Sequence, residues 1–403
     1  MTLLHELAQR LEENRELITE WMKKKRSEVP IPIYGSVDIR DSGWKIAVVD
    51  ANHFPAGFNN VSSEDEQNLS NLLRDHIIRQ QPNCKWVHLY PESHTRNPGY
   101  VENVSTIRRL ITNAGFRCTV GSPELEGHGS IDGVTGPLVL DQVLITDDSL
   151  LVDGEKPDMV MLNNDLTEGM VPGLGAHQVF PPPHMGWQRR RKSEHYACLQ
   201  VYVDEIAEIL DIDSWHLLTD WFVSENKCLE KEVCRQALAT EIDEFLAKIL
   251  VRYQSMGIDR EPVAYVKNDR GTYGLGIMAV TSGEQLLNLS NRKFKRLMYS
   301  KGGVDVENFL IQEGVPTALR SPDGSPIEPV VYLVDGEAAS WFYRMNHKKD
   351  EMGNLNSPSA VFLPYSEVGN SYGEHAHGWH ALVAELSMLA MGAESQKQLV
   401  SAQ

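Results

Sequence analysis

Apolar residues Leu4, Leu7, Leu11, Ile18 and Trp21 recur near helical spacing, which predicts an opening helix over residues 3–26. Its last turn is basic, Lys23 to Arg26, as suits a helix C-terminus, and Pro30-Ile31-Pro32 stops it. The period then changes. Residues 44–49 and 86–90 read as buried strands, 101–114 as a helix closed by Gly115, and 116–120 as a strand. Strand, helix and strand in that order predict one βαβ unit of a parallel sheet. A further strand, 159–162, breaks off at Asn163-Asn164-Asp165, and the Gly- and Pro-rich stretch 169–186 reads as a long ordered loop. Two helices follow, at 193–210 and 230–256. In the second, Val233, Ala237, Ile242, Phe245, Ile249 and Tyr253 share one face, and Gly257 closes the end. Glu261-Pro262 opens a strand-rich unit that runs to about Pro364, and an amphipathic helix at 379–391 precedes a polar tail. The expected fold class is α/β: an N-terminal helix at 1–30, a parallel-sheet α/β region at 31–258, an α+β unit at 259–365, and a C-terminal helix and tail at 366–403.

Composition narrows the class. The 403 residues are 41% hydrophobic and 23% charged, ordinary for a globular protein. No apolar run reaches the roughly 18 residues of a membrane span. The start, Met1-Thr2-Leu3-Leu4-His5, lacks the marks of a signal peptide, so a cytoplasmic location is expected. A net charge of −18 argues against nucleic acid as a partner, and any anionic substrate needs a locally positive pocket. Cys84, Cys118, Cys198, Cys228 and Cys234 are odd in number and form no Cys-x-x-Cys pair. They read as reduced thiols, mostly in the core, and not as a disulfide framework or zinc ribbon.

The strongest chemical signal lies at 263–277. A short apolar strand ends in Lys267; Gly271, Gly274 and Gly276 follow, with Thr272 among them, and then another apolar strand. Glycines let successive backbone N–H groups turn toward an anion. Lys267 would supply a point charge for inner phosphates, and Thr272 a hydroxyl donor. A glycine loop by itself is more often a hairpin turn, and this one is neither a Walker loop nor a dinucleotide fingerprint. The downstream sequence strengthens the nucleotide reading. A basic run at 292–296 and a strand at 308–311 lead into Gln312-Glu313-Gly314-Val315. There an extended backbone can meet an adenine edge, and Glu313 can accept from ribose hydroxyls or the exocyclic amine. Asp335-Gly336, between strands 330–334 and 338–344, is a hairpin signal, so Asp335 reads as a turn residue before a metal ligand.

Lys267 with its glycines, the strand into Glu313, Val334-Asp335-Gly336-Glu337, Arg344 and Gly353-Asn354-Leu355 resemble the glutathione synthetase branch of the ATP-grasp fold over residues 260–360. The whole chain resembles a narrower group, the bacterial glutamate–cysteine ligases of ATP-grasp type. The phrases that carry this are Asp50-Ala51-Asn52-His53-Phe54-Pro55-Ala56-Gly57-Phe58-Asn59-Asn60 and Trp187-Gln188-Arg189-Arg190-Arg191-Lys192-Ser193-Glu194-His195. The resemblance implies ATP and Mg²⁺ as cofactors and glutamate and cysteine as substrates. It implies γ-glutamylcysteine, ADP and phosphate as products, in the first step of glutathione biosynthesis. Lys267 and Arg344 are then the expected catalytic residues, Arg344 neutralising the transferred phosphoryl group or the acyl phosphate. Lys267, Gly271, Thr272, Gly274, Gly276, Gln312, Glu313 and Val315 are expected around the nucleotide. One departure matters: the branch's acidic-x-Asn metal phrase is represented only by Asn354-Leu355-Asn356-Ser357-Pro358, which lacks the acid. Magnesium ligands are therefore sought among Glu313, Glu328, Asp335, Asn354 and Asn356. Two alternatives stay open: another ATP-grasp amino-acid or peptide ligase such as a glutathione synthetase, and a nucleotide-binding regulatory protein without turnover.

A ligase for glutamate must hold two carboxylates and an ammonium group. Arg40, Arg96, Arg189, Arg191 and Lys192 are the candidates for the carboxylates, because guanidinium and ammonium groups pair with them. Asn163, Asn164 and Asp165, at a strand end, are placed for the ammonium if the sheet is parallel. The run 189–192 also reads as a solvated helix start, and Arg40 beside Asp38 and Asp41 as an ion pair. His375, His377 and His380 read as surface histidines at a helix start and not as zinc ligands. Small molecules are the expected partners, with no nucleic acid or membrane; a homo-oligomer is compatible with the sequence.

Overall fold

A computed structural model of the chain describes residues 3–94, 96–147, 149–270, 276–298, 306–357, 359–368 and 373–401. Helices α1 (Leu3–Glu13) and α2 (Arg15–Glu28) open it, so the expected single helix is interrupted at Asn14. Strands β1 (Tyr34–Asp41) and β2 (Ile46–Asn52), helix α3 (Glu66–Gln80), strand β3 (Trp86–Pro91), helix α4 (Pro98–Asn113) and strand β4 (Arg117–Val120) follow. Two small hairpins come next, β5 (Ser130–Asp132) with β6 (Pro137–Val139), and β7 (Val143–Ile145) with β8 (Leu150–Val152). After β9 (Met159–Asn163), β10 (Gln178–Phe180) and α5 (Lys192–Leu210) come β11 (Trp221–Ser224) and the long helix α6 (Glu232–Ser255). The last stretch holds β12 (Ala264–Asn268), β13 (Ile277–Val280), α7 (Glu284–Leu287), α8 (Asn291–Leu297) and β14 (Phe309–Glu313). It ends with β15 (Ile327–Val334), β16 (Glu337–Met345), β17 (Val361–Pro364), α9 (Tyr365–Val368) and α10 (Gly373–Ser401).

Three larger sheets result. The parallel sheet has the order β10-β9-β3-β4, and β3-α4-β4 is the expected βαβ unit. Its two central strands, β3 and β9, read Trp-Val-His-Leu-Tyr-Pro and Met-Val-Met-Leu-Asn and are buried throughout, as strands covered on both faces must be. An antiparallel sheet β11-β14-β12-β13 carries Lys267 and packs on α6. The third sheet, β17-β16-β15-β1-β2, is antiparallel and joins the early strands to the late ones. Residues 34–52 and 327–364 therefore share one sheet, which spans position 258.

Period-2 alternation explains how this central sheet works. In β15, Val331 and Leu333 join the core under α5 and α10, whereas Val330, Tyr332 and Val334 join the core formed with α3 and α4. In β1, Val37 and Ile39 face the first core, leaving Ser36, Asp38 and Arg40 on the other side. Asp38 pairs with Asp50 and Ile39 with Val48, so Val49 is an extra, bulged residue. The bulge shifts the phase: Ile46, Val48 and Ala51 continue the core row, and Asp50 turns away from it. The C-terminal segment also differs from expectation. α10 is apolar on all sides around Trp379, Leu386, Met388 and Met391, which buries it against the central sheet and α5 instead of leaving a surface helix and tail. No helix among the described residues is long and apolar enough to cross a membrane.

Burial sets an acid limit on this architecture. His88 in β3 and His53 after β2 are both held neutral by burial, each with its pKa lowered to about 4 from 6.5. Unfolding releases them to titrate normally, so the unfolded chain binds more protons between these values. Their stabilising contribution is complete above about pH 6.5 and is lost as the pH falls toward 4. Calorimetry is expected to show Tm dropping by several degrees from pH 7 to pH 5, and His88→Gln to flatten that slope; a Tm independent of pH over this range would contradict the assignment.

Candidate active site

Two clefts meet inside the molecule. The first, of about 740 Å³, lies between the Lys267 sheet and the central sheet; Lys267, Gln312 and Val315 line one side, Arg40 and Glu328 the other. The second, of about 1370 Å³, lies over the C-terminal ends of β3 and β9, where Glu92, Asn163 and Asp165 emerge, with Trp187 and Arg344 also in its wall. Open parallel sheets place ligands at that end. The segment 50–60 walls this second cleft, and its Gly57 has no room for a side chain, since a Cβ would lie 2.5 Å from the Tyr332 hydroxyl. Asp38, Asp50 and Asn356 line both clefts and mark the seam between them.

Charges gather at the seam. Lys267 Nζ donates to Gln312 Oε1 at 2.6 Å and to the Val49 carbonyl, exposed by the bulge, at 3.0 Å. Burial lowers the Lys267 pKa to about 8, with the Lys192 charge adding to the shift and Asp50 opposing it. Lys192 Nζ reaches Asp50 Oδ1 at 2.7 Å. Burial alone would raise Asp50, but Lys192 and Lys267 outweigh it and hold the carboxyl at about 2. Arg344 donates from Nη1 to Asp38 Oδ2 at 2.6 Å and Glu328 Oε1 at 2.8 Å, and from Nη2 to Asp38 Oδ1 at 3.2 Å. Burial works against its charge, yet the two carboxylates raise its pKa. Asp38 is itself pushed up by burial, against the pull of Arg344. Arg40, Lys192, Lys267 and Arg344 thus meet Asp38, Asp50 and Glu328 at the seam, where the cations gather in a chain of net charge −18, while Glu92, Asp165 and Glu313 also line the clefts.

Several expected site residues stand elsewhere or are already engaged. Arg40 lies on the nucleotide side; it pairs with Glu328 through Nε at 2.6 Å and donates to the Glu351 and Gly353 carbonyls, so it is no free clamp for glutamate. It is an ion pair, with Glu328 and not with its neighbours in sequence. Glu313 points into the core. Its carboxylate pairs with buried Lys45, accepts from the Asp220 amide at 3.0 Å and from the Tyr253 hydroxyl at 3.3 Å, and leaves nothing for metal or ribose. Asp335 sits in the β15–β16 turn with φ 54°, bound to His76 and Arg79. Six residues of strand separate that turn from Glu328, about 20 Å, which removes Asp335 from the metal candidates. Arg96 and Arg189 are exposed, and neither they nor Arg191 line a cleft. Of the basic run, Arg190 and Lys192 are buried, and Lys192 alone reaches the seam. Asn163 spends its amide on Asn103 and the Pro55 carbonyl, and Asn164 on the Pro91 carbonyl and Leu166 amide, so both act as scaffold. Asp165 lines the second cleft. Gly276 has φ 67° at the start of β13, whereas Gly271, Thr272 and Gly274 lie outside the described residues. His380 is buried against Asp41 at 3.0 Å and is not a surface residue; the side chains of His375 and His377 lie outside the described set. The five cysteines are free, and burial drives Cys84 up to about 11 and Cys118 up to about 12, as expected of inert thiols.

Asp38, Asp50 and Glu92 were not singled out by sequence. Asp50 stood in a phrase used for resemblance, but nothing in its spacing announced the bulge that turns it to the cleft. Among the described residues no three acidic, histidine or cysteine side chains form a metal cage. Magnesium asks for less, since one or two carboxylates with phosphate and water oxygens complete its octahedron. Asp50, anionic and half-buried, and Asn356, exposed at the seam with Asn354 beside it, are hard oxygen donors of that kind. Glu328 is tied to Arg40 and Arg344.

The family model for glutamate-cysteine ligase matches residues 8–394, nearly the whole chain. A candidate gamma-glutamylcysteine synthetase from Methylobacillus flagellatus KT superposes with a TM-score of 0.89 at 31% identity, over 98% of this chain and 96% of that one. A glutathione synthetase-like effector from Globodera pallida gives a TM-score of 0.37 at 9% identity, covering 89% of this chain and 79% of the other. D-alanyl-alanine synthetase A from Vibrio cholerae O1 biovar eltor str. N16961 gives 0.35 at 12% identity, covering 76% and 81%. No curated protein sequence matches the chain.

Behind the seam, Glu394 of α10 accepts from Arg190 Nε at 2.8 Å, while Arg190 Nη1 holds the Ala51 carbonyl at 2.6 Å. Both side chains are fully buried, so removing one strands the other's charge. Glu394→Ala is expected to cost about 3–5 kcal/mol in urea unfolding; a loss below about 1 kcal/mol would show the pair to be dispensable.

Proposed function

The chain belongs to the glutamate–cysteine ligase family, and on that premise we propose that its two clefts divide the reaction, nucleotide in the first and amino acids in the second. The enzyme joins the γ-carboxylate of glutamate to the amine of cysteine at the expense of ATP. What supports the division is the seam: a phosphoryl group leaving the nucleotide cleft meets a carboxylate from the amino-acid cleft where Asp38, Asp50 and Asn356 border both.

In this reading the adenine packs by Val315 and Ile277, and the phosphates run toward Lys267 and Lys192. Phosphoryl transfer needs positioning and neutralised charge more than covalent help. Lys267, fixed by Gln312 and the Val49 carbonyl, holds the inner phosphates. Lys192 and Arg344 receive the γ-carboxylate and the charge that builds as it is phosphorylated. Magnesium, when bound, neutralises phosphate charge, and Asp50 and Asn356 are the residues to hold it. Asp165 and Glu92 face the ammonium groups of the amino acids in the second cleft. Buried Arg344 keeps its orientation through Asp38 and Glu328, so the acyl phosphate forms in a preset field and the cysteine amine displaces phosphate from it. A cytoplasmic setting suits an ATP-consuming enzyme with five free cysteines.

Lys267→Met is expected to lower kcat/KM for ATP at least 100-fold, read as ADP released with glutamate and cysteine present. For the wild-type enzyme the same parameter, which reports the free protein, should decline above about pH 8 as Lys267 loses its proton. A Lys267→Met enzyme of normal efficiency would overturn the nucleotide assignment.

A further inference from the structure

We infer that Asp269 is a positioning residue for the ligation: placed just after the Lys267 strand, it caps helix α5 from outside and so fixes Lys192 at the seam. This rests on the reading of the seam as the place of reaction. α5 begins at Lys192, and its N-cap residue Arg191 provides no side-chain cap. The first amides of a helix need acceptors. Asp269 supplies them across 76 residues of sequence: Oδ1 accepts from the Ser193 amide at 2.8 Å and Oδ2 from the Ser193 hydroxyl at 2.8 Å. Its carbonyl accepts from the Lys192 amide at 2.9 Å. Asp269 is only 1% exposed, so water cannot take over these bonds.

The same residue is tied to the nucleotide sheet. Its amide donates to the Asn308 carbonyl at 3.2 Å, and Lys267 lies two residues before it on β12. A single carboxylate therefore sets the start of α5 relative to β12, and with it the two lysines relative to each other. They are close enough for the Lys192 charge to lower the Lys267 pKa. Lys192 Nζ, laid over the Trp187 ring at 4.6 Å and bonded to Asp50, has its backbone held by Asp269 and its tip held by the seam. Displacing a charged group by about 1 Å from a reacting centre can cost about 100-fold in rate. The loss of the Asp269 cap would be felt through Lys192 and not through a contact with substrate.

A double-mutant cycle of Asp269→Ala and Lys192→Met tests this, with kcat measured from ADP and γ-glutamylcysteine formed and folding checked by Tm. The expected result is that Asp269→Ala, which removes both side-chain acceptors, lowers kcat tenfold or more, and that Lys192→Met, costly in the wild type, costs less than a third as much when combined with Asp269→Ala. Multiplicative effects, or an Asp269→Ala enzyme with lowered Tm and unchanged kcat per folded molecule, would overturn the inference. If Asp269→Ala does not fold, Ser193→Ala, which removes one of the two side-chain bonds, enters the same cycle under the same criterion. Should Lys192→Met itself leave kcat unchanged, the seam assignment fails along with this inference. Should it matter but combine multiplicatively, only the positioning role fails.

Discussion

Arg344 lies buried between Asp38 and Glu328, and the strands that carry these three groups are the strands that build the central sheet. Burying such a cluster is costly, because each charge gives up its water. The cost is offset only where geometry is close to ideal, and the forked guanidinium meets Asp38 through both Nη atoms. What the cluster supplies is specificity of arrangement. A one-residue slip of β1 against β15 would put Asp38 among the apolar residues under α10 and expose Val37 to the cleft. The polar face of the sheet and the register of its strands are the same constraint.

Around this constraint the other parts have local reasons. The bulge at Val49 turns Asp50 outward and frees a carbonyl for Lys267. Gln312, on the strand next to that of Lys267 in the same sheet, holds it and is itself bonded to Thr219. α10 closes the far face, and its Glu394 holds Arg190, which in turn holds the strand end at Ala51.

Much of this was legible beforehand where periodicity is strong. The βαβ unit, α5, α6, the lysine-tipped strand and the Asp335-Gly336 hairpin all follow from local pattern, and each is present. The alternation of Val37 and Ile39 with Ser36, Asp38 and Arg40 in β1 is that of a half-buried strand, but it does not report that every position is buried. Its partners lie far along the chain, and no local signal reports that a polar row faces a cleft. The arginine run failed for a related reason: four basic residues in succession carry no phase, and the partner that selects Arg190 is Glu394, 204 residues away. Gln312 and Glu313 point to opposite sides of β14, and only Lys45 and Tyr253 decide that the acid is the inward one.

The closure of the central sheet has a consequence for how the molecule comes into being. Asp38 and Arg344 are separated by 306 residues, so β1 emerges from synthesis long before β15 exists to pair with it. Contacts of such span form slowly, and an unpaired strand edge invites association with other chains. Competence for ligation arrives only as the last quarter of the sequence is threaded back into place.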